Sequence, residues 1–116
     1  MTAPVFAEFL RRSPLEYAAL QPTGGGDYDS LARAVEKLES AQPAWDAHDL
    51  AKITLGHRVT VVGADKDETV FVDEAQKLHE MIKDSRLVTL RSVSHFAMLQ
   101  DPEQFLAAFL ASEAAV

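Results

Sequence analysis

The chain predicts an α/β fold, and three observations carry that prediction. Residues 58–62 (Arg58-Val59-Thr60-Val61-Val62) and 86–90 (Arg86-Leu87-Val88-Thr89-Leu90) are short apolar runs rich in β-branched side chains. Between them, residues 70–83 set Val72, Ala75, Leu78, Met81 and Ile82 at helical spacing. Strand, helix and strand in this order form a βαβ unit with parallel strands and a right-handed crossover, so both strands end at one edge. Both runs are apolar at nearly every position, which suits strands covered on both faces.

The elements ahead of this unit read as helices. Val5, Phe6, Phe9 and Leu10 give a short helix over residues 4–11. Ser13 before Pro14 reads as an N-cap and first helical position, starting a second short helix through Tyr17 to Leu20. Gly24-Gly25-Gly26 follows no apolar strand and precedes no Gly-Lys-Ser/Thr, so a flexible turn is a better reading than a phosphate loop. From Asp27 or Asp29 to about Ala41, Leu31, Ala34, Val35 and Leu38 recur at i, i+3, i+4 and i+7, giving an amphipathic helix with one buried face. Pro43 stops it, and Trp45 is expected to pack the connection. Asp46 caps a brief helix through Leu50 to Ile53, closed by Gly56. After the second strand, a last helix runs from Pro102 to about Ala111 with Phe105, Leu106, Phe109 and Leu110 on one side, and residues 112–116 are expected to fray.

With 116 residues the chain suits one small domain, and no repeat or linker splits it. Lys and Arg number 11 against 18 Asp and Glu, a net charge of −7 that argues against nucleic acid or an anionic membrane as partner. The absence of cysteine excludes disulfides, thiolate catalysis and Cys-based zinc sites. No apolar run approaches the roughly 20 residues of a membrane-spanning helix. The first ten residues carry Glu8 and no Lys or Arg, unlike a secretory signal, so a cytoplasmic location is expected.

Loops beyond the carboxyl ends of parallel strands are where open α/β sheets hold ligands and catalytic groups. Asp67 lies a few residues past the first strand and His95 a few past the second. Strands about 4.8 Å apart let their side chains meet if the loops turn toward each other. The imidazole is then a general base, with the carboxylate holding its tautomer and stabilising the imidazolium. Ser94 is a poor nucleophile candidate, because adjacent residues rarely point so that one deprotonates the other. Asp65-Lys66-Asp67 fails as a calcium loop, since Val70 and Gln76 stand where glycine and glutamate are required. His48, His57 and His79 lack zinc-helix spacing and read as exposed or partly packed. Phe96, Met98 and Leu99 read as core or pocket wall.

The stretch Val93-Ser94-His95-Phe96-Ala97-Met98-Leu99-Gln100-Asp101-Pro102-Glu103-Gln104-Phe105 resembles the histidine loop and final helix of the α/β-hydrolase family. Weaker markers are Ser13-Pro14-Leu15-Glu16-Tyr17 and Asp49-Leu50-Ala51-Lys52-Ile53, and the resemblance spans roughly residues 10–110. It implies a partial α/β-hydrolase fold, a single incomplete C-terminal domain. Residues 1–56, mainly helical, would belong to the cap region and its return to the sheet, and residues 57–116 would form the βαβ unit and final helix. It also implies that Asp67 is the triad acid, with Asp65 the fallback, and His95 the triad base; the separation, 95 − 67 = 28 residues, fits a loop, a helix and a strand. Gly56-His57-Arg58 stands where the family usually has a proline, and no serine has the Gly-x-Ser-x-Gly context of the family's nucleophile.

The resemblance therefore implies the C-terminal part of a cofactor-independent hydrolase of esters or related small molecules. It supplies acid and base without the nucleophile and is expected to be inactive alone. A small-molecule substrate is expected only after completion by an N-terminal half. A βαβ unit leaves both faces and a whole edge uncovered, so a homo-oligomer or a complementing hydrolase segment is the expected partner. The competing expectation is a non-catalytic remnant or interaction module that binds through the open sheet edge.

Overall fold

A computed structural model describes residues 3–21 and 27–113, and its centre is a parallel pair of strands. Strand β1 (Thr60–Ala64) pairs with β2 (Arg86–Leu90) in a register that runs from Thr60 opposite Arg86 to Ala64 opposite Leu90. Helix α4 (Glu74–Met81) connects them and packs against both. The two strands thus finish level with each other, as a mixed helix and parallel-strand unit requires. Among the described residues neither strand has a partner on its outer edge.

Before the sheet, α1 (Pro4–Leu20), α2 (Tyr28–Glu39) and the single turn α3 (Ala47–Leu50) follow in order. The two short helices expected before Leu20 are one. Pro14 lies inside α1, and the Ser13 hydroxyl donates to the Phe9 carbonyl at 2.7 Å instead of capping a new helix. Proline removes the bond to the Leu10 carbonyl, but α1 buries none of its residues, so water can satisfy that oxygen. Of the two starts expected, it is Asp27 that caps α2, accepting from the Ser30 amide at 2.7 Å. The buried face expected on α2 is not there: Leu31, Val35 and Leu38 are all exposed, and the helix touches its surroundings chiefly through Tyr28 against Tyr17 of α1. Trp45, expected to pack, is 69% exposed. The glycine triplet 24–26 lies outside the described residues, as do residues 114–116.

Two expected boundaries move, each for a local reason. Asp46 and Asp49 form a reciprocal capping box on α3, but Gly56 does not close that helix. Instead it opens a 3-10 turn, Gly56–Arg58, which takes Arg58 out of the strand. Gly56 is buried there, and a Cβ would sit 1.8 Å from the carbonyl oxygen of Lys83. Only glycine lets these two backbone segments approach so closely. The crossover helix starts at Glu74 rather than Val70, because the Asp67 carboxylate holds the amides of Thr69 and Val70 in a loop. Phe71 is consequently 81% exposed.

Helix α5 (Ala97–Gln100), a turn not expected from the sequence, leads into α6 (Pro102–Glu113). Asp101 accepts from the Gln104 amide at 2.9 Å and Pro102 takes the first helical position, the pairing that starts helices well. Ser112 and Glu113, expected to fray, belong to α6. Arg86 at the start of β2 donates to the Ser112 carbonyl at 2.7 Å and the Ala111 carbonyl at 3.3 Å. The aromatic and leucine side chains of α6 stay largely exposed, and Ala108 is the residue packed against the central cluster.

That cluster is Leu90, Val93 and Ala97, with Ala64 and Val88 against it. It lies at the carboxyl end of the sheet, directly beneath the loops that follow the strands. The rest of the interior is thin, and among the described residues no large side chain is completely buried. Val62, expected to be covered, is 44% exposed. The radius of gyration is 17.2 Å, well above the roughly 13 Å of a compact domain of about 100 residues. One side of the sheet is thus packed and the other open.

Candidate functional site

The site is built by two loops that leave level strand ends and are stitched together as they go. The Asp65 amide donates to the Leu90 carbonyl at 3.0 Å and the Lys66 amide to the Val93 carbonyl at 3.1 Å, extending the parallel ladder past the strands. Asp65 Oδ1 accepts from the Ser92 amide at 2.7 Å, pinning a residue whose φ of 59° is unusual for a side chain other than glycine. Further out, Glu68 Oε2 accepts from the His95 amide at 3.1 Å and Oε1 from the Ala3 amide at 3.2 Å. Asp65, the fallback acid, is thus occupied with the loop backbone and does not reach the imidazole.

From the other side two glutamines hold the histidine loop. Gln104 on α6 accepts from the Arg91 amide at 2.6 Å and donates to the Arg91 carbonyl at 3.1 Å, so its carboxamide pairs with the chain as a strand would. Gln100 accepts from the Ser94 amide at 2.5 Å. Ser94 is buried, and its hydroxyl makes no hydrogen bond to the neighbouring imidazole. Ala97 and Val93 sink into the core cluster on either side of His95, which leaves the ring facing outward on a fixed loop.

Asp67 and His95 meet there. Asp67 Oδ2 lies 3.1 Å from His95 Nδ1, with the carboxylate side chain 14% and the imidazole 41% exposed. Asp67 Oδ1 accepts from the Thr69 amide at 2.8 Å, the Thr69 hydroxyl at 2.9 Å and the Val70 amide at 3.0 Å. Burial pushes the Asp67 carboxyl upward. The Thr69 amide, the His95 ring, the Val70 amide and the Thr69 hydroxyl outweigh it and hold the group below its ordinary value, so it is ionised at neutral pH. Glu68 is likewise pushed up by burial and brought below its ordinary value by the amides it accepts from, His95 first.

No described residue bonds His95 Nε2, and the nitrogen that meets the carboxylate is Nδ1. A ring that donates Nδ1–H to a carboxylate presents an Nε2 lone pair on its far side, the arrangement of a general base. Phe6 of α1 stands edge-on to the ring with centroids 6.2 Å apart, and Phe96 does so at 5.3 Å. Phe9 stacks behind Phe96 at 5.1 Å, so α1 furnishes an aromatic wall to the histidine. A groove of about 620 Å³ opens beside the pair, walled by Trp45, Val61, Phe71, Met98 and Phe105, with Asp67 and His95 among its lining. Met98 and Trp45 therefore serve as groove wall and not as core. Leu99, expected in core or wall, is exposed.

His48 and His57 are exposed, and His79 bonds the Ser85 hydroxyl at 2.9 Å on the far side of α4. Among the described residues no group of three or more His, Asp or Glu side chains is placed to hold a metal ion. No described helix is long and apolar enough to cross a membrane. Sequence reasoning paired Asp67 with His95, which the structure brings together, but gave no role to Thr69 or Glu68. The signal for Thr69 was the Asp-x-Thr spacing of a side-chain-to-backbone turn. Glu68 has no such signal, because its partners Ala3 and His95 are remote in sequence. No family model matches this chain, and neither a curated protein nor a solved structure matches it.

Proposed function

We propose that this chain is the C-terminal segment of a cofactor-independent α/β-hydrolase acting on esters or related small molecules. It supplies the acid and base of a catalytic triad, while the nucleophile comes from outside these residues. The observation that carries this reading is the Asp67 to His95 contact of 3.1 Å through Nδ1, beyond the carboxyl ends of two parallel strands. In this reading His95 Nε2 takes the proton from a serine hydroxyl, or from water attacking an acyl intermediate, and returns it to the leaving group. Asp67 keeps Nδ1 protonated and stabilises the imidazolium. The oxyanion donors come with the nucleophile.

The open groove and unpaired strand edges support completion by a further segment of sheet. The test is to join or co-express the chain with an α/β-hydrolase N-terminal half that carries Gly-x-Ser-x-Gly, and to assay short-chain nitrophenyl esters. Activity should appear only in the completed form and fall about 10²- to 10⁴-fold in His95→Ala. Turnover by the pure chain that His95→Ala abolishes would require a nucleophile within it and overturn the proposal. An assembled but inactive form would leave the interaction-module reading standing instead.

A further inference from the structure

We propose that Thr69 is a positioning residue that, together with Asp67, fixes the proton of His95 on Nδ1. The inference deepens the reading of Asp67 and His95 as an acid–base pair and rests on it. Three side chains close a ring of hydrogen bonds: Thr69 Oγ1 to Asp67 Oδ1 at 2.9 Å, Thr69 Oγ1 to His95 Nδ1 at 2.7 Å, and His95 Nδ1 to Asp67 Oδ2 at 3.1 Å. A carboxylate only accepts, so the single hydroxyl proton goes to Asp67 and a threonine lone pair faces the imidazole. Nδ1 must then bring its own proton. With Nδ1 bare, two lone pairs and a carboxylate would face one another across the ring.

Asp67 alone holds the imidazole less firmly than this ring does. At 3.1 Å its contact with Nδ1 is longer than the roughly 2.7–2.9 Å of a strong charge-assisted bond. Its other oxygen is committed to the loop amides, and the imidazole is 41% exposed and open to competing water. The shorter contact is to the threonine. Thr69 cannot drift from its task, because its own amide donates to the same Asp67 oxygen that its hydroxyl does. Backbone turn and side-chain clamp are one motif, three residues long.

Thr69→Val keeps the branched shape but sets a methyl against Nδ1–H and removes the acceptor. Because Thr69 is exposed, the change leaves the packed cluster untouched. The readout is the ¹⁵N shift pair of the His95 ring, measured by long-range ¹H–¹⁵N correlation on the full 116-residue chain at a pH where the ring is neutral. Wild type should show Nδ1 protonated and Nε2 bare. In Thr69→Val the two resonances should move toward each other as the Nε2–H form gains population against the Asp67 contact that remains, and Thr69→Ser should restore the wild-type pair. Should Thr69→Val lose the wild-type circular dichroism spectrum, Thr69→Ala removes the same hydroxyl and is read in the same way. An unchanged pair of ring ¹⁵N shifts in the hydroxyl-deleted variant overturns the inference. So does a Thr69→Ser spectrum like that of the deletion, or a wild-type ring already in the Nε2–H form. The measurement needs no turnover, so a completed hydrolase that proves inactive would count against the proposed function and leave this result as it stands.

Discussion

Gly56→Ala should be the more damaging of the two glycine-to-alanine changes open to comparison among the described residues, Gly56 and Gly63. The new Cβ would lie 1.8 Å from the Lys83 carbonyl oxygen and 2.9 Å from its carbon, where ordinary contact begins at 3.4 Å. The oxygen must retreat by 3.4 − 1.8 = 1.6 Å. Little can absorb this, since Lys83 sits between buried Ile82 and Asp84, whose φ of 64° is already in the left-handed region. Overpacking of this kind costs about 1–3 kcal/mol, and a clash with backbone belongs at the upper end. The stiffer unfolded chain returns about 0.5 kcal/mol, leaving a loss of about 2.5 kcal/mol. At about 4 °C per kcal/mol for a chain this size, the melting temperature falls by about 10 °C. Gly63→Ala is the internal control. There the added carbon meets the Ala75 methyl at 2.7 Å, a retreat of 3.4 − 2.7 = 0.7 Å, and the net loss should be about 0.5 kcal/mol. Urea titrations followed by circular dichroism give both values. A Gly56→Ala variant within about 0.5 kcal/mol of wild type, or one more stable than Gly63→Ala, would refute the close-approach argument.

The isolated chain should be a poor monomer, because Val62, Trp45 and Phe71 stand exposed along the groove and, among the described residues, each strand has an unpaired outer edge. Light scattering after gel filtration should show self-association; a monodisperse monomer would contradict this. Asp67→Asn should cost stability in a pH-dependent way. The folded carboxyl lies below its ordinary 3.8, so its contribution is complete above that value and disappears as pH falls through the lower folded one. Paired denaturation curves should therefore show the gap between wild type and Asp67→Asn widest near neutrality and closing below about pH 4. A gap that grows on acidification would mean that Asp67 is not held as a carboxylate.

The parts of this molecule that the sequence discloses are those governed by neighbours in the chain. The β-branched runs gave both strands, Asp27 and Asp46 announced helix starts through bonds to amides three residues on, and Pro102 announced the last helix. What escaped depends on partners far away. The apolar stripe of α2 has helical spacing but finds nothing to pack on, so periodicity predicted the helix and could not predict its exposure. Val70, Phe71 and Val72 fit a helical pattern too, yet Asp67 claims the amides that would have started it. The candidate pair was legible because both residues sit a few positions past a strand, where parallel geometry gathers side chains. The aromatic wall from Phe6 and Phe9 was not, since about 90 residues separate it from His95 along the chain.

The level strand ends have a consequence for how such a site can vary. Ala64 faces Leu90, and the paired side chains stand 67 − 64 = 3 and 95 − 90 = 5 residues beyond that rung. Their meeting is therefore a matter of counting. A point mutation in either strand changes packing and leaves the count alone, whereas one inserted or deleted residue at 65–66 or 91–94 shifts the ladder bonds of Asp65 and Lys66 and carries the carboxylate away from the ring. The site is written less in the letters of these two loops than in their lengths.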